Sequence, residues 1–122
     1  MKVQIILLTA LLLPLPANAT EVSKSYWFNG MSTAIPTAFC NSRQYFRHCF
    51  SVSTQQCEEA VASATRICLN KNNKDIPDIL VQPKDGAHWG AIIGKCVGDT
   101  YEITQEQKHI NNAKCNDISK WQ

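Results

Sequence analysis

Apolar residues recur at helical spacing along the first half of the chain. They lie on one stripe of an α-helix, at offsets 0, 4, 11, 14 and 15, and are Ile35, Phe39, Phe46, Cys49 and Phe50. Ser32 is a good N-cap, and Pro36 follows in the first turn, where a missing backbone N–H costs little. The pattern predicts a helix from residue 32 to about residue 50.

A second helical stripe begins after a break at residues 51–53. Ser53 and Gln56 have the spacing of a capping box. The small and apolar residues that follow at helical spacing are Cys57, Val61, Ala64 and Cys68. This pattern predicts a helix to about Leu69. Two helices joined by so short a break are expected to pack as an antiparallel hairpin over about residues 32–69.

Residues 70–83 have the composition of a linker around one apolar run, Ile79-Leu80-Val81. The run predicts a short extended segment. Pro77 and Pro83 flank it and argue against a central strand, because proline cannot donate a hydrogen bond to a neighbouring strand.

A third helical pattern starts near Asp85, and its apolar members are Trp89, Ile92, Ile93 and Cys96. The glycines at 86, 90, 94 and 98 recur every four residues. Either they form a helix face that packs closely on a neighbour, or the segment is a loop, since each interior glycine costs about 1 kcal/mol relative to alanine. The helix is the favoured interpretation.

Two short elements are predicted beyond residue 98. Tyr101-Glu102-Ile103 has the composition of a brief extended segment. Thr104 and Gln107 form another capping-box signature, which predicts a polar fourth helix through Ile110 to Cys115.

The segment 20–31 is predicted to be an arm that leads into the first helix. It contains Tyr26, Trp27 and Phe28, followed by the turn pair Asn29-Gly30. Three adjacent aromatic side chains cannot all face one core. The arm either folds back on the helices, which is favoured, or anchors a protein partner, because aromatic anchors are enriched at interfaces.

The first 19 residues have the three parts of a secretory signal. Lys2 provides the basic start, an apolar run extends from Val3 to Leu15, and Ala17-Asn18-Ala19 is a small-x-small site. The run is too short for a membrane span, which needs about 20 apolar residues. We therefore expect cleavage after Ala19 and a periplasmic or secreted mature protein without a membrane span.

The mature chain is expected to be a single domain, residues 20–122, because its length supports one hydrophobic core. Removal of Lys2 with the signal leaves 11 basic and 10 acidic residues and a net charge of +1. No block of like charge occurs. The composition therefore does not support a nucleic-acid partner.

All six cysteines lie in the mature part, and an even number in an oxidising compartment implies three disulfides. They are Cys40, Cys49, Cys57, Cys68, Cys96 and Cys115. No C-x2-C spacing is present, so neither a metal site nor a redox-active pair is predicted.

Residues equally far from the turn of an antiparallel hairpin lie opposite each other. This rule predicts nested disulfides, 49–57 inside 40–68, with 96–115 left as the third. The arrangement over residues 40–68 resembles the coiled-coil-helix-coiled-coil-helix family, although the gaps here are eight and ten residues and that family's usual gap is nine. Nine steps of about 100° place Cys40 and Cys49 on opposite sides of an ideal helix. Either the helix frays before Cys49, or one pairing differs.

The polar residues form no recognisable catalytic set, and neither a catalytic residue nor a cofactor is predicted. Asp85 and His88 could meet on one helix face and orient a ring for catalysis, but a helix cap beside a surface histidine is favoured. Arg43 and Arg47, one helical turn apart, are candidates for contact with an anionic group of a partner.

The predicted fold is mainly α: a small disulfide-stapled helical domain built on the antiparallel hairpin, with one or two further short helices. The predicted function is that of an exported binding protein with a protein partner in the cell envelope, such as an inhibitor or an assembly factor. In outline the chain resembles periplasmic immunity proteins, which are also short, helical and disulfide-bridged. The alternative is a secreted enzyme or effector with a site near Asp85 and His88. The oligomeric state is left open.

Overall fold

A computed structural model describes residues 20–121. The predicted signal and its cleavage site lie outside these residues. The elements, in chain order, are β1 (Thr20–Ser23), α1 (Lys24–Phe39), α2 (Tyr45–His48), α3 (Thr54–Asn72), β2 (Ile79–Gln82) and α4 (Lys84–Thr104), followed by two short 3₁₀ helices, Glu106–Lys108 and Ile118–Trp121. The predicted mainly α class is confirmed.

Helix α1 begins eight residues earlier than the sequence pattern predicted. Ser23 is its N-cap, and its hydroxyl accepts a hydrogen bond of 3.1 Å from the backbone N–H of Tyr26. The predicted arm over residues 20–31 and the Asn29-Gly30 turn are therefore wrong: residues 20–23 form β1, and the three aromatic residues and the Asn29-Gly30 pair lie inside the helix. Pro36 lies in the last turn of α1 and not in the first.

The predicted helix over residues 32–50 is interrupted between α1 and α2. Asn41 forms a local turn there: its side-chain oxygen accepts from the N–H of Arg43 at 3.1 Å, and its carbonyl accepts from the N–H of Gln44 at 2.9 Å. Asparagine competes in this way with the helical hydrogen bonds of the backbone. Phe39 and Phe46, predicted to share one helix, instead stack across the break with ring centroids 4.9 Å apart.

Helices α1 and α3 form the predicted antiparallel hairpin. The disulfide Cys40–Cys57 joins the end of α1 to the start of α3, and the Lys24 Nζ donates to the Asn73 carbonyl at 2.9 Å at the other end of the pair. The predicted capping box of Ser53 and Gln56 is present at the start of α3. The buried side chains of α3 include all four residues of the predicted stripe, Cys57, Val61, Ala64 and Cys68.

The apolar run at 79–82 is extended, as predicted, and pairs antiparallel with β1 in a two-stranded sheet. Pro83 follows this edge strand directly, where its missing N–H interrupts no ladder. Helix α4 confirms the helical interpretation of residues 85–98 and continues to residue 104. Its buried stripe is Ile93, Val97 and Tyr101. Gly98 permits close contact with α2, since a Cβ there would lie 3.1 Å from the Phe46 Cζ.

Two predictions for the C-terminal part are wrong. Residues 101–103 belong to α4, and residues 110–115 form turns and bends in place of a fourth helix. The apolar side chains of 93, 97 and 101 continue one helical stripe, so burial of Tyr101 against Phe46 and Phe50 extends α4 past Gly98.

All six cysteines form disulfides, but the predicted partners are wrong. The observed pairs are Cys40–Cys57, Cys49–Cys115 and Cys68–Cys96. The nested scheme assumed a tight turn at residues 51–53, whereas the connection between α1 and α3 begins at residue 40 and contains α2. The hairpin contacts are consequently centred near residue 48, which places Cys57 and not Cys68 opposite Cys40.

The buried core lies where α1, α3 and α4 meet the sheet and α2. Its larger members are Trp27, Ile35, Tyr45, Phe50, Val61, Leu69, Ile76, Leu80, Ile93, Val97 and Tyr101. The disulfides fit an oxidising compartment. From Thr20 to Trp121, no helix has the length and apolar character required to span a membrane.

Candidate functional site

The C-terminal end of α4 presents acidic side chains on one face. Asp99, Glu102, Ile103 and Glu106 follow the i, i+3, i+4, i+7 spacing that aligns side chains along a helix. Glu106 opens the 3₁₀ helix that follows α4. Asp99, Ile103 and Glu106 are exposed, and Glu102 is half-buried.

A second wall comes from the segment around residue 109. Phe50 and His109 form an isolated antiparallel β-bridge, with backbone hydrogen bonds of 2.8 Å on either side. The disulfide Cys49–Cys115 also ties this segment to the residue that precedes Phe50. The wall is thus held by main-chain hydrogen bonds and by a covalent link.

These two walls and α2 enclose a groove of about 600 Å³, which we call the acidic groove. Its lining residues are Tyr45, Phe50, Asp99, Glu102, Ile103, Glu106 and His109. The rings of Tyr45 and Phe50 are buried and meet edge to face at 5.6 Å. The groove therefore has an aromatic base and a row of carboxylates along one side.

The charge of the acidic groove is opposite to that of the whole chain. Its lining has three carboxylates and neither lysine nor arginine, whereas the chain carries a net charge of +2. Asp99 has an exposed ion pair with Lys95 at 2.8 Å. Within residues 20–121, Glu102 and Glu106 form no ion pair with a basic side chain. No lysine or arginine of these residues therefore neutralises either carboxylate.

Tyr45 contributes a neutral hydroxyl to the acidic groove. Burial, with the hydrogen bond and negative charge of Glu102, raises the pKa of the Tyr45 phenol well above its ordinary value. The phenol therefore keeps its proton and donates to the Glu102 carboxylate. The half-buried Glu102 carboxylate therefore has a neutral hydroxyl beside it.

His109 has a structural partner in the same region. Its Nε2 lies 3.1 Å from the Cys115 carbonyl, which can only accept, so Nε2 carries a proton. The lining residues of the groove include no serine, threonine or cysteine beside this ring. Across residues 20–121, no cluster of three His, Cys, Asp or Glu side chains is arranged to hold a metal ion. Carboxylates beside aromatic rings are suited to holding cationic groups.

A second depression, of about 420 Å³, lies on the other side of the segment 109–115. We call it the basic pocket; its lining residues are Arg43, His48, Asn112, Lys114, Cys115 and Trp121. The Lys114 Nζ lies 4.0 Å from the centre of the Trp121 ring, and His48 stacks on the same ring at 5.6 Å. Two of its three basic side chains are therefore already engaged by an aromatic ring.

The structure separates the three aromatic candidates of the N-terminal segment. Trp27 is buried at 6% exposure, as the favoured interpretation predicted, and Phe28 is partly buried beside it. Tyr26 is 71% exposed on the outer face of α1. Of the three, Tyr26 alone has most of its side chain available to a partner.

The two candidate arginines do not form a pair on one helix. Arg43 precedes α2 and lines the basic pocket, whereas Arg47 lies within α2. The Arg47 guanidinium donates to the Thr54 hydroxyl at 3.1 Å and to the Val52 carbonyl at 2.9 Å. It therefore joins α2 to the start of α3.

Asp85 and His88 have separate partners. The Asp85 carboxylate accepts a hydrogen bond of 2.7 Å from the Val81 N–H, which links β2 to the first turn of α4. The His88 ring contacts the Trp89 ring edge to face at 5.0 Å. The enzyme hypothesis for these two residues stays a prediction.

The acidic groove was not found from the sequence. Its signal is the run Asp99-x-x-Glu102-Ile103-x-x-Glu106, which has helical spacing. The extended segment predicted at residues 101–103 and the capping-box signature at Thr104 implied that the helix ended earlier. No pattern of neighbouring residues in the sequence indicated that residues 45, 50 and 109 lie beside this run.

A scan of protein families gives a match over residues 21–109 to a family described as "T2SS substrate NttA". No curated protein and no solved structure matches the chain. The matched residues include the whole lining of the acidic groove, whereas four of the six residues of the basic pocket lie beyond them. The description is that of a substrate of the type II secretion system (T2SS), in agreement with export through an oxidising compartment. Because the match covers most of the sequence, the chain belongs to the family of the T2SS substrate NttA.

Proposed function

We propose that this protein is a secreted binding protein without catalytic activity, and that it engages a protein partner through the acidic groove. The observation that carries the proposal is the groove itself: an aromatic base, an exposed Ile103 and three carboxylates with neither lysine nor arginine among the lining residues. Convergent polar groups around an apolar cavity are the usual features of a binding site. Membership of a T2SS substrate family favours a partner outside the cell over one in the envelope.

The rigidity of the groove supports binding without rearrangement. One wall is a helix with a buried stripe, and the other is fixed by the Cys49–Cys115 disulfide and by backbone hydrogen bonds. A preformed surface loses little conformational entropy when a partner binds. The same features suit an inhibitor, one of the classes that the sequence predicted.

The experiment is affinity capture with the secreted, oxidised protein as bait and mass spectrometry as readout. Ile103→Ser changes a side chain that is 75% exposed in the groove, and Ile67→Ser is the matched control, at 51% exposure on α3. Tyr26→Ala tests the rival surface on α1. We expect a partner that binds the wild type and the Ile67 and Tyr26 variants, and that the Ile103 variant loses.

The binding and enzymatic classes give different results with the captured partner. A bound partner that keeps its intact mass after long incubation with the protein supports the proposal. Cleavage or covalent modification of that partner, abolished by His88→Ala, would establish the enzyme alternative. Loss of capture in Tyr26→Ala with full capture by Ile103→Ser would place the interface on α1 and refute the groove.

A further inference from the structure

We propose that the acidic groove binds an extended segment of a partner protein that carries arginine or lysine side chains. This inference rests on the proposed function, because it names the chemistry of the partner at the same site. The charge of the groove, the spread of its carboxylates and the apolar surface beside them support it.

The negative charge of the groove favours a cationic ligand. The groove has three carboxylates and neither lysine nor arginine, and the phenol of Tyr45 is held neutral beside Glu102. Phosphate and carboxylate groups would be repelled there. A guanidinium or ammonium group would instead form charge-assisted hydrogen bonds, which are about twice as strong as neutral ones.

The spacing of the carboxylates favours a ligand with more than one cationic group. Asp99 and Glu102 are about one helical turn apart on α4, and Glu106 lies beyond the end of α4, in the 3₁₀ helix that follows it. Carboxylates spread in this way do not converge on one metal ion, and residues 20–121 contain no three-ligand cluster. In an extended peptide, side chains on one face recur about every 6.8 Å, so successive cationic side chains can reach separate carboxylates.

The apolar surface beside the carboxylates favours ligand side chains with long methylene stems. Ile103 is 75% exposed at the edge of the groove, and the aromatic rings of Tyr45 and Phe50 form its base. Arginine and lysine cover such surface with their methylene stems while the charged group reaches a carboxylate. Arginine fits better, because its planar group stacks on aromatic rings and binds carboxylates in a bidentate manner.

The test measures fluorescence polarisation of a labelled heptapeptide in which arginine alternates with alanine, added to the oxidised protein. The control peptide carries citrulline, which is neutral and nearly isosteric with arginine. We expect the arginine peptide to bind at least about tenfold more tightly than the citrulline peptide, with a lysine peptide in between. Binding should weaken as ionic strength rises.

Three charge-matched variants locate the peptide. Glu102→Gln retains a hydrogen-bond acceptor for Tyr45 and should weaken the arginine peptide about tenfold. Glu106→Gln, at an exposed position, should weaken it about threefold and is the second test if the Glu102 variant does not fold. Glu59→Gln removes the same charge from the exposed surface of α3 and should leave the affinity unchanged.

Specific outcomes would overturn the inference. Equal affinity for the arginine and citrulline peptides would refute it, and so would equal effects of the Glu102 and Glu59 variants. A linear polyamine that binds more tightly than the peptide would assign the groove to a small organic cation. Self-association that Glu102→Gln abolishes would assign it to the basic pocket of a second copy.

Failure of this inference is distinguishable from failure of the proposed function. If no arginine peptide binds but the captured partner still depends on Ile103, the groove remains the binding site and only its ligand chemistry is wrong. If the captured partner is indifferent to Ile103, the proposed function fails, whatever the peptide does.

Discussion

The acidic groove and the basic pocket lie on two sides of the same C-terminal segment, and they use their charges differently. Tyr45 separates them, since its ring contacts His109 in the groove at 6.3 Å and Trp121 in the pocket at 6.2 Å. In the pocket, Lys114 and His48 face the Trp121 ring. In the groove, Glu102 and Glu106 have no basic partner among residues 20–121.

This difference shows why a charged depression alone does not indicate a binding site. A cation that already contacts an aromatic ring must break that contact before it binds a ligand. Glu106 has no ion pair to lose, and Glu102 keeps its negative charge beside the neutral Tyr45 phenol. The groove is therefore the better candidate, although both depressions contain charged and aromatic residues.

The largest expected effect comes from removing the disulfide that supports both depressions. Cys49→Ser with Cys115→Ser opens a link across 66 residues, and the loop-entropy relation predicts a loss of about 4 kcal/mol in the free energy of unfolding. The matched control removes Cys40–Cys57, separated by 17 residues, with an expected loss of about 3 kcal/mol. Urea titration measures both, and a larger loss for the 40–57 pair would contradict the prediction.

Removing the Tyr101 hydroxyl should have an intermediate effect. This hydroxyl donates to the Phe46 carbonyl at 3.0 Å beneath the groove, so Tyr101→Phe is expected to cost about 1 kcal/mol at neutral pH. Burial raises the pKa of Tyr101 from 10.0 to about 12.

The folded state favours the protonated phenol of Tyr101, and this sets the direction in which stability changes with pH. The stability it contributes is fully present below pH 10 and is lost as the pH rises through about 12. Tyr101→Phe should therefore show a smaller loss of stability over this range than the wild type, measured by urea titration at each pH. Parallel pH profiles for the two proteins would argue against a buried phenol.

A smaller effect is expected when the cation of the basic pocket is removed. Lys114→Ala deletes the ammonium above Trp121 and should lower stability by about 0.5 to 1 kcal/mol. Lys120→Ala, at an exposed position of the last 3₁₀ helix, is the control and should change stability by less than about 0.5 kcal/mol. Equal effects of the two changes would show that Lys114 is as free as an ordinary surface lysine.

The smallest effect on stability is expected at the rim of the groove. Lys95→Ala breaks an exposed ion pair with Asp99 and should leave the free energy of unfolding nearly unchanged, because solvent screens the pair. The same change frees the Asp99 carboxylate and should tighten the arginine peptide about twofold. Weaker peptide binding after this substitution would contradict the charge argument for the groove.

Parts of the fold were predictable because they depend on a few neighbouring residues. The capping box of Ser53 and Gln56 begins α3 by hydrogen bonds within one turn, and the prolines at 77 and 83 limit the apolar run between them to an edge strand. An even number of cysteines predicted three disulfides, which the structure contains.

The tertiary structure decided where the helices end and which residues meet. The turn at Asn41 and the burial of Tyr101 against residues 46 and 50 shift the boundaries of α1, α2 and α4 away from the periodic pattern. Because the disulfide partners depend on these boundaries, the break after residue 39 altered the predicted pairing. The acidic groove combines the carboxylates at 99, 102 and 106 with side chains from residues 45, 50 and 109. Hydrophobic period and local hydrogen bonds act over one or two turns of chain, whereas such a site forms only when distant segments pack together.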